Sequence, residues 1–204
     1  MNKSIGALVL FLVSLALVSC SASTSMKNSW RDPTVTGPLQ FKKILVVMVS
    51  EDGTTRRQVE DRIVNRITSR HQAEAVQSYT LLSGDDLKND ERAKQILAEA
   101  GFDGAIDLRL VSTDKEMTYT PGTYQQPYYN FWGYYDYAWP TVYQPGYLQT
   151  NTIVTMETLI YSMTDNKLVW SGTTETFNPS SLEDTIDGIA GEVSKELTKQ
   201  GLVK

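Results

Sequence analysis

From Lys42 to Val49 (KKILVVMV) nearly every position is β-branched or otherwise apolar, and Glu51-Asp52-Gly53 ends the run with turn chemistry. A run without alternation predicts a strand buried in a parallel sheet. The period then changes. Val59, Ile63, Val64 and Ile67 recur at helical spacing from Arg56 to about Arg70, with charges between them, which predicts an amphipathic helix. Glu74 to Thr80 (EAVQSYT) predicts a short second strand. Ser83-Gly84-Asp85-Asp86 offers caps for a second helix whose stripe is Ala93, Ile96, Leu97 and Ala100, with Gly101 as its stop. Asp103 to Ser112 alternates: Ile106, Leu108 and Leu110 point one way, and Asp107, Arg109 and Val111 the other.

Strand, helix, strand, helix, strand with right-handed crossovers gives a parallel sheet. Thr152 to Met163 and Lys167 to Phe177, joined by Thr164-Asp165-Asn166, predict an antiparallel hairpin. A last helix from about Ser181 presents Leu182, Ile186, Ile189, Val193 and Leu197, with Ser180 and Glu183 at capping-box spacing. The expected fold is α/β, two-layer: a three-stranded parallel βαβαβ core extended by a C-terminal antiparallel hairpin and a final helix. Helices are expected on the aliphatic side only. The face bearing Asp107 and Arg109 is then partly wet, and these two form either a same-face ion pair worth little or part of a recognition surface. On the first helix Arg57 and Asp61, four apart, are expected to pair, and Arg56 and Arg57 run against the helix dipole, as a contact to something acidic would allow.

The amino-terminal residues bear on compartment. Lys3 precedes an apolar run from Ile5 to Val18. That is long enough for a signal h-region and short of the roughly 20 apolar residues of a membrane span. Leu17-Val18-Ser19-Cys20 resembles the lipobox of bacterial lipoproteins, which implies a signal peptide over 1–19 and lipidation of Cys20. The Ser21 that follows resembles the outer-membrane sorting pattern. Residues 20–29 read as lipidated cysteine and flexible tether, and 30–204 as one α/β domain. Cys20 is the only cysteine, so lipidation leaves no thiol for a disulfide or a metal. The formal charge of −5 makes nucleic acid a poor partner.

Ser29-Trp30-Arg31-Asp32-Pro33, Phe41-Lys42-Lys43-Ile44-Leu45-Val46-Val47, Arg56-Arg57-Gln58-Val59-Glu60-Asp61, Gln77-Ser78-Tyr79, Glu157-Thr158-Leu159-Ile160-Tyr161 and Lys167-Leu168-Val169-Trp170-Ser171 occur in that order. Together they resemble a family of small bacterial lipoproteins that carries no established activity. Ile44 to Val111, including Gly101-Phe102-Asp103-Gly104-Ala105-Ile106, is more loosely similar to the amino-terminal domain of TolB and to CsgG-like envelope lipoproteins. Such α/β layers serve protein contacts in the envelope, and the resemblance implies compartment and fold rather than a reaction.

Residues 117–149 hold nine of the eleven tyrosines and a single charge, Asp136. They show no sustained period of 2 or 3.6, which predicts a long Tyr/Trp-rich loop between two strands. Three readings stay open: a lid over the sheet, a protein-binding surface, or a contact with glycan rings or lipid headgroups. Trp30 and Trp170 are expected to pack in the core or the hairpin.

Chemistry is harder to find. His71 is the only histidine, and there is no nucleophile elbow, phosphate loop or dinucleotide fingerprint. Asp85, Asp86, Asp90 and Glu91 lack calcium-loop spacing. The expected function is a non-enzymatic adaptor or assembly lipoprotein, without metal or cofactor, held at the periplasmic side of the outer membrane and binding another envelope protein through Trp132, Tyr134, Tyr135 and Trp139. Arg57, Asp107 and Arg109 are secondary contact candidates. The alternatives are a glycan or peptidoglycan binder using the same rings and, third, an envelope hydrolase with paired carboxylates.

Overall fold

The structure, a computed structural model, describes residues 23–70, 73–83, 86, 90–120, 132 and 147–203. Six strands form one mixed sheet: β1 (Ser23–Arg31), β2 (Lys43–Val49), β3 (Glu74–Gln77), β4 (Gly104–Thr120), β5 (Tyr147–Ser162) and β6 (Lys167–Phe177). The helices are α1 (Gly53–Arg70), α2 (Asp90–Ala100) and α3 (Leu182–Lys199), with a 3-10 turn at Ser78–Thr80. The strand order is β1-β6-β5-β4-β2-β3, parallel from β3 through β2 to β4 and antiparallel across the rest. The expected α/β core, hairpin and final helix are therefore present.

The inner face carries the main core. Val46 and Met48 of β2 and Leu108 of β4 meet Val59 and Ile63 of α1, and Ile186 and Ile189 of α3 complete the cluster. Trp170 is fully buried beside Ile160, Leu197 and Leu202. Its indole lies so close over Gly172 that a Cβ there would stand 2.3 Å from the ring. Asp52 caps α1 by accepting from the Thr54 and Thr55 amides at 3.1 and 3.0 Å. The cap of α3 is Ser181, which accepts from the Asp184 amide at 3.1 Å, one residue later than the expected pair of Ser180 and Glu183.

Three expectations need correction. First, Ser23 to Ser29, read as tether, form most of β1 and pair antiparallel with β6. Its inward positions are mostly polar: Thr24 meets Thr176 at 3.0 Å and Ser29 donates to Glu196 of α3 at 3.2 Å, while Met26 packs on the Trp170 cluster. Second, α2 packs Leu97 and Ala100 on the outer face, against Leu45, Phe102 and Ala105. The order β3-β2-β4 explains it. The chain steps one way from β2 to β3 and back past β2 to β4, so two right-handed crossovers put α1 and α2 on opposite faces. Third, strand structure continues to Thr120 and resumes at Tyr147, narrowing the segment read as loop.

Candidate functional site

β4 and β5 outrun their neighbours. Pairing of β2 to β4 ends at Val49 and Arg109, and pairing of β5 to β6 ends at Ile153 and Phe177. Beyond this line six residue pairs, from Lys115↔Thr152 to Thr120↔Tyr147, have no third strand beside them among the described residues. At about 3.3 Å per residue this two-stranded ribbon is roughly 20 Å long. A bulge between Leu110 and Ser112 lies where β2 ends. Bulges sharpen local twist, so the ribbon leaves the plane of the sheet.

The ribbon's root is fastened. Asn178, in the left-handed region at φ 46°, accepts from the Thr152 amide at 2.7 Å through its side chain, and its own amide donates to the Thr152 carbonyl at 2.8 Å. Its Nδ2 also donates to Asn151 at 2.9 Å. This side chain extends the ladder by one step after β6 has ended. The blade beyond it is exposed and partly apolar. Met117 is 74% and Leu148 68% exposed on the face continuous with the inner sheet, and Tyr147 is 60% exposed on the other. Val49, Leu110 and Val111 add exposed apolar surface near the root.

Residues 121–146, which join the two strands, lie outside the described residues except Trp132, which is exposed. Tyr134, Tyr135 and Trp139 therefore lie outside them, as do Cys20 and His71.

The secondary candidates do not assemble into one site. Arg109 pairs with Glu157 across β4 and β5 at 2.8 Å, not with Asp107 as expected, because the register places Glu157 directly opposite it. Asp107 stands between Val47 and Leu159 on the outer face, and its side chain has no hydrogen-bond partner among the described residues. Burial pushes its pKa up to about 6. Arg57 lies over the Tyr79 ring, 5.9 Å from its centre. Asp61, its expected partner, instead accepts from the Tyr79 hydroxyl at 2.6 Å and from Gln77 at 2.9 Å.

Sequence reasoning missed the pair one residue earlier. Glu60, fully buried, accepts from the Met48 amide, Arg56, the Ser78 hydroxyl and the Tyr79 amide at 2.7–3.1 Å. Arg56 is also buried and donates to Ser78 at 2.8 Å. The signal was legible, since positions 56 and 60 fall on the same stripe as Val59, Ile63 and Ile67. The network joins α1 to β2 and to the 3-10 turn, a structural role that uses up its hydrogen-bonding capacity. Trp170 is core as expected, whereas Trp30 lies 46% exposed on the outer face. Among the described residues no group of three or more His, Cys, Asp or Glu is placed to hold a metal, and no helix is long and apolar enough to cross a membrane.

No family model and no curated protein matches the sequence. Among solved structures the chain is similar to the PelC dodecamer from Paraburkholderia phytofirmans, at 11% identity over 89% of this chain and 100% of that one, with a TM-score of 0.45. It is also similar to lipoprotein GNA1162 from Neisseria meningitidis, at 13% identity over 77% of this chain and 98% of that one, with a TM-score of 0.39. Likeness at this level concerns the course of the chain and says nothing about activity.

Proposed function

We propose that the chain is a lipid-anchored protein of the bacterial cell envelope, at the periplasmic side of the outer membrane, that acts without catalysis by docking a second envelope protein on the β4–β5 ribbon. The observation that carries this reading is the ribbon itself. A two-stranded hairpin unsupported by a third strand is marginal in water, and this one exposes Met117, Tyr147 and Leu148 besides two unpaired strand edges. A partner that adds a strand to an edge, or covers the Met117–Leu148 face, supplies what the ribbon lacks. The Tyr- and Trp-rich residues 121–146 extend the same surface in sequence.

The lipobox gives the surface a place. Ser23 is opposite Phe177, and Phe177 is opposite Ile153 at the ribbon's root. With Cys20 lipidated, three residue steps reach at most about 10 Å to Ser23. The root of the ribbon is then held near the membrane surface, and the partner is a membrane-associated protein.

The test is photo-crosslinking in cells from probes replacing Met117 or Leu148 in the full lipidated chain, with a probe at Glu91 of α2 as control. One discrete heterologous adduct from both ribbon positions, absent from position 91, supports the reading. Adducts confined to the chain itself, or equal from all three positions, refute it.

A further inference from the structure

The inner face of the sheet is not fully roofed. α1 packs over β2 and β3, and α3 over β1 and β6, which leaves β4 and β5 between the two helices. Arg62 and Asp187 tie the helices together through a two-pronged ion pair, with Nε to Oδ1 at 2.9 Å. Past that tie α3 turns the small side chains of Ala190 and Ser194 towards α1, and a cleft of about 830 Å³ opens between them. That volume lies within the range of small-molecule sites.

Its chemistry is that of an amphiphile site. The floor is Ile106, Leu108, Thr158 and Ile160, and Ile63 and Ile189 stand in the walls. Ile63, Leu108, Ile160 and Ile189 are each only 2–7% exposed, so the apolar lining is shielded from bulk water. Thr158 is 3% exposed, and its hydroxyl has no partner among the described residues. Lys42, Arg66 and Arg70 line the cleft, and no Asp or Glu does. Arg66 is 3.6 Å from Asp187, which already holds Arg62, and Arg70 has no ion pair among the described residues. Three cations beside an apolar lining, of which Arg66 shares Asp187 with Arg62, are complementary to an anionic head on an apolar tail.

We propose that this cleft binds a single-chain fatty acid, its alkyl chain along the β4–β5 floor and its carboxylate at Arg66, Arg70 and Lys42. The proposal is independent of the ribbon.

It is tested with hexadecanoic acid carrying a mid-chain diazirine, added to membranes from cells that make the full chain, irradiated, and mapped by peptide mass. Expected are adducts on residues 63–70 of α1 and 189–197 of α3. Unlabelled hexadecanoate competes them away, and hexadecyltrimethylammonium at the same concentration does not. Ala190→Leu, which fills the cleft, abolishes these adducts. The rim variant Arg66→Gln/Arg70→Gln lowers them at least fivefold with the protease-resistant core unchanged, and decides the matter if Ala190→Leu fails to fold. The proposal is overturned by adducts only elsewhere on the chain, or by labelling indifferent to both variants. It is equally overturned if the cationic amphiphile competes as well as the acid, or if a diacyl phospholipid with the same diazirine labels the cleft and the free acid does not.

Discussion

Replacing Asp107 by Asn is expected to stabilise the protein, and only above acidic pH. The carboxyl lies on the outer face between Val47 and Leu159, with Arg109 committed to Glu157. Nothing among the described residues donates to it, so burial raises its pKa from an ordinary 3.8 to about 6. The folded chain therefore holds this proton where the unfolded chain has released it. Stability from this group is full below about pH 4 and is lost as the pH rises through about 6. At 1.36 kcal/mol per pH unit, the difference between 3.8 and about 6 is ~3 kcal/mol at neutral pH, and water reaching a half-buried carboxylate reduces it to ~2 kcal/mol. Asn has the same shape without the charge. Urea unfolding followed by circular dichroism reads the effect. With a slope near 2 kcal/mol per molar, the Asp107→Asn midpoint at pH 7.5 lies about 1 M above the parent's. At pH 4 the two midpoints coincide. Equal midpoints at pH 7.5, or the same gain at both pH values, would show that Asp107 is already solvated or paired and would refute the reasoning.

Three further substitutions probe the packing. Glu60→Gln leaves Arg56 buried without a counter-charge and sets an amide donor among donors, which is expected to cost about 3 kcal/mol in urea unfolding. Gly172→Ala drives a methyl into the Trp170 indole, and a loss of about 2 kcal/mol with a changed near-ultraviolet dichroism spectrum is expected. Thr158→Val removes a buried hydroxyl that has no partner, so stability stays level or rises by up to ~1 kcal/mol. A drop larger than that would mean the hydroxyl is bonded.

The pattern of apolar positions was enough for β2, α1, α3 and the β5–β6 hairpin, since each buries a periodic stripe in one core. It could not announce β1. Apart from Met26, which packs on the Trp170 cluster, that strand turns Thr24, Ser29 and Arg31 inward, where they meet Thr176, Glu196 and the Gln200 carbonyl, so its composition is close to that of a linker. The ribbon halves of β4 and β5 were equally silent, because from Thr113 to Thr118 the β4 side chains are exposed and no alternation is imposed. The side occupied by α2 follows from strand order, which spacing along one chain does not reveal. Of the expected contact residues, Trp132 is exposed, and Tyr134, Tyr135 and Trp139 lie outside the described residues. Arg57, Asp107 and Arg109 occupy separate environments. The cleft between α1 and α3 arises from the distance between two helices, a quantity with no one-dimensional trace, although Arg66 and Arg70 at four-residue spacing marked its rim in plain view.

The antiparallel seam between β1 and β6 has a mechanical consequence. Its first described residue, Ser23, is the one nearest Cys20 in sequence, and the strand runs from there along β6 as far as Trp170. A pull on Ser23 away from the domain, parallel to the strand, loads these hydrogen bonds together in shear instead of peeling them one at a time. Force entering at that end reaches the sheet beside the root of the ribbon, where Phe177 faces Ile153. Tension entering at Ser23 passes from β1 through β6 to β5, and reaches α3 as well through the bond from Ser29 to Glu196.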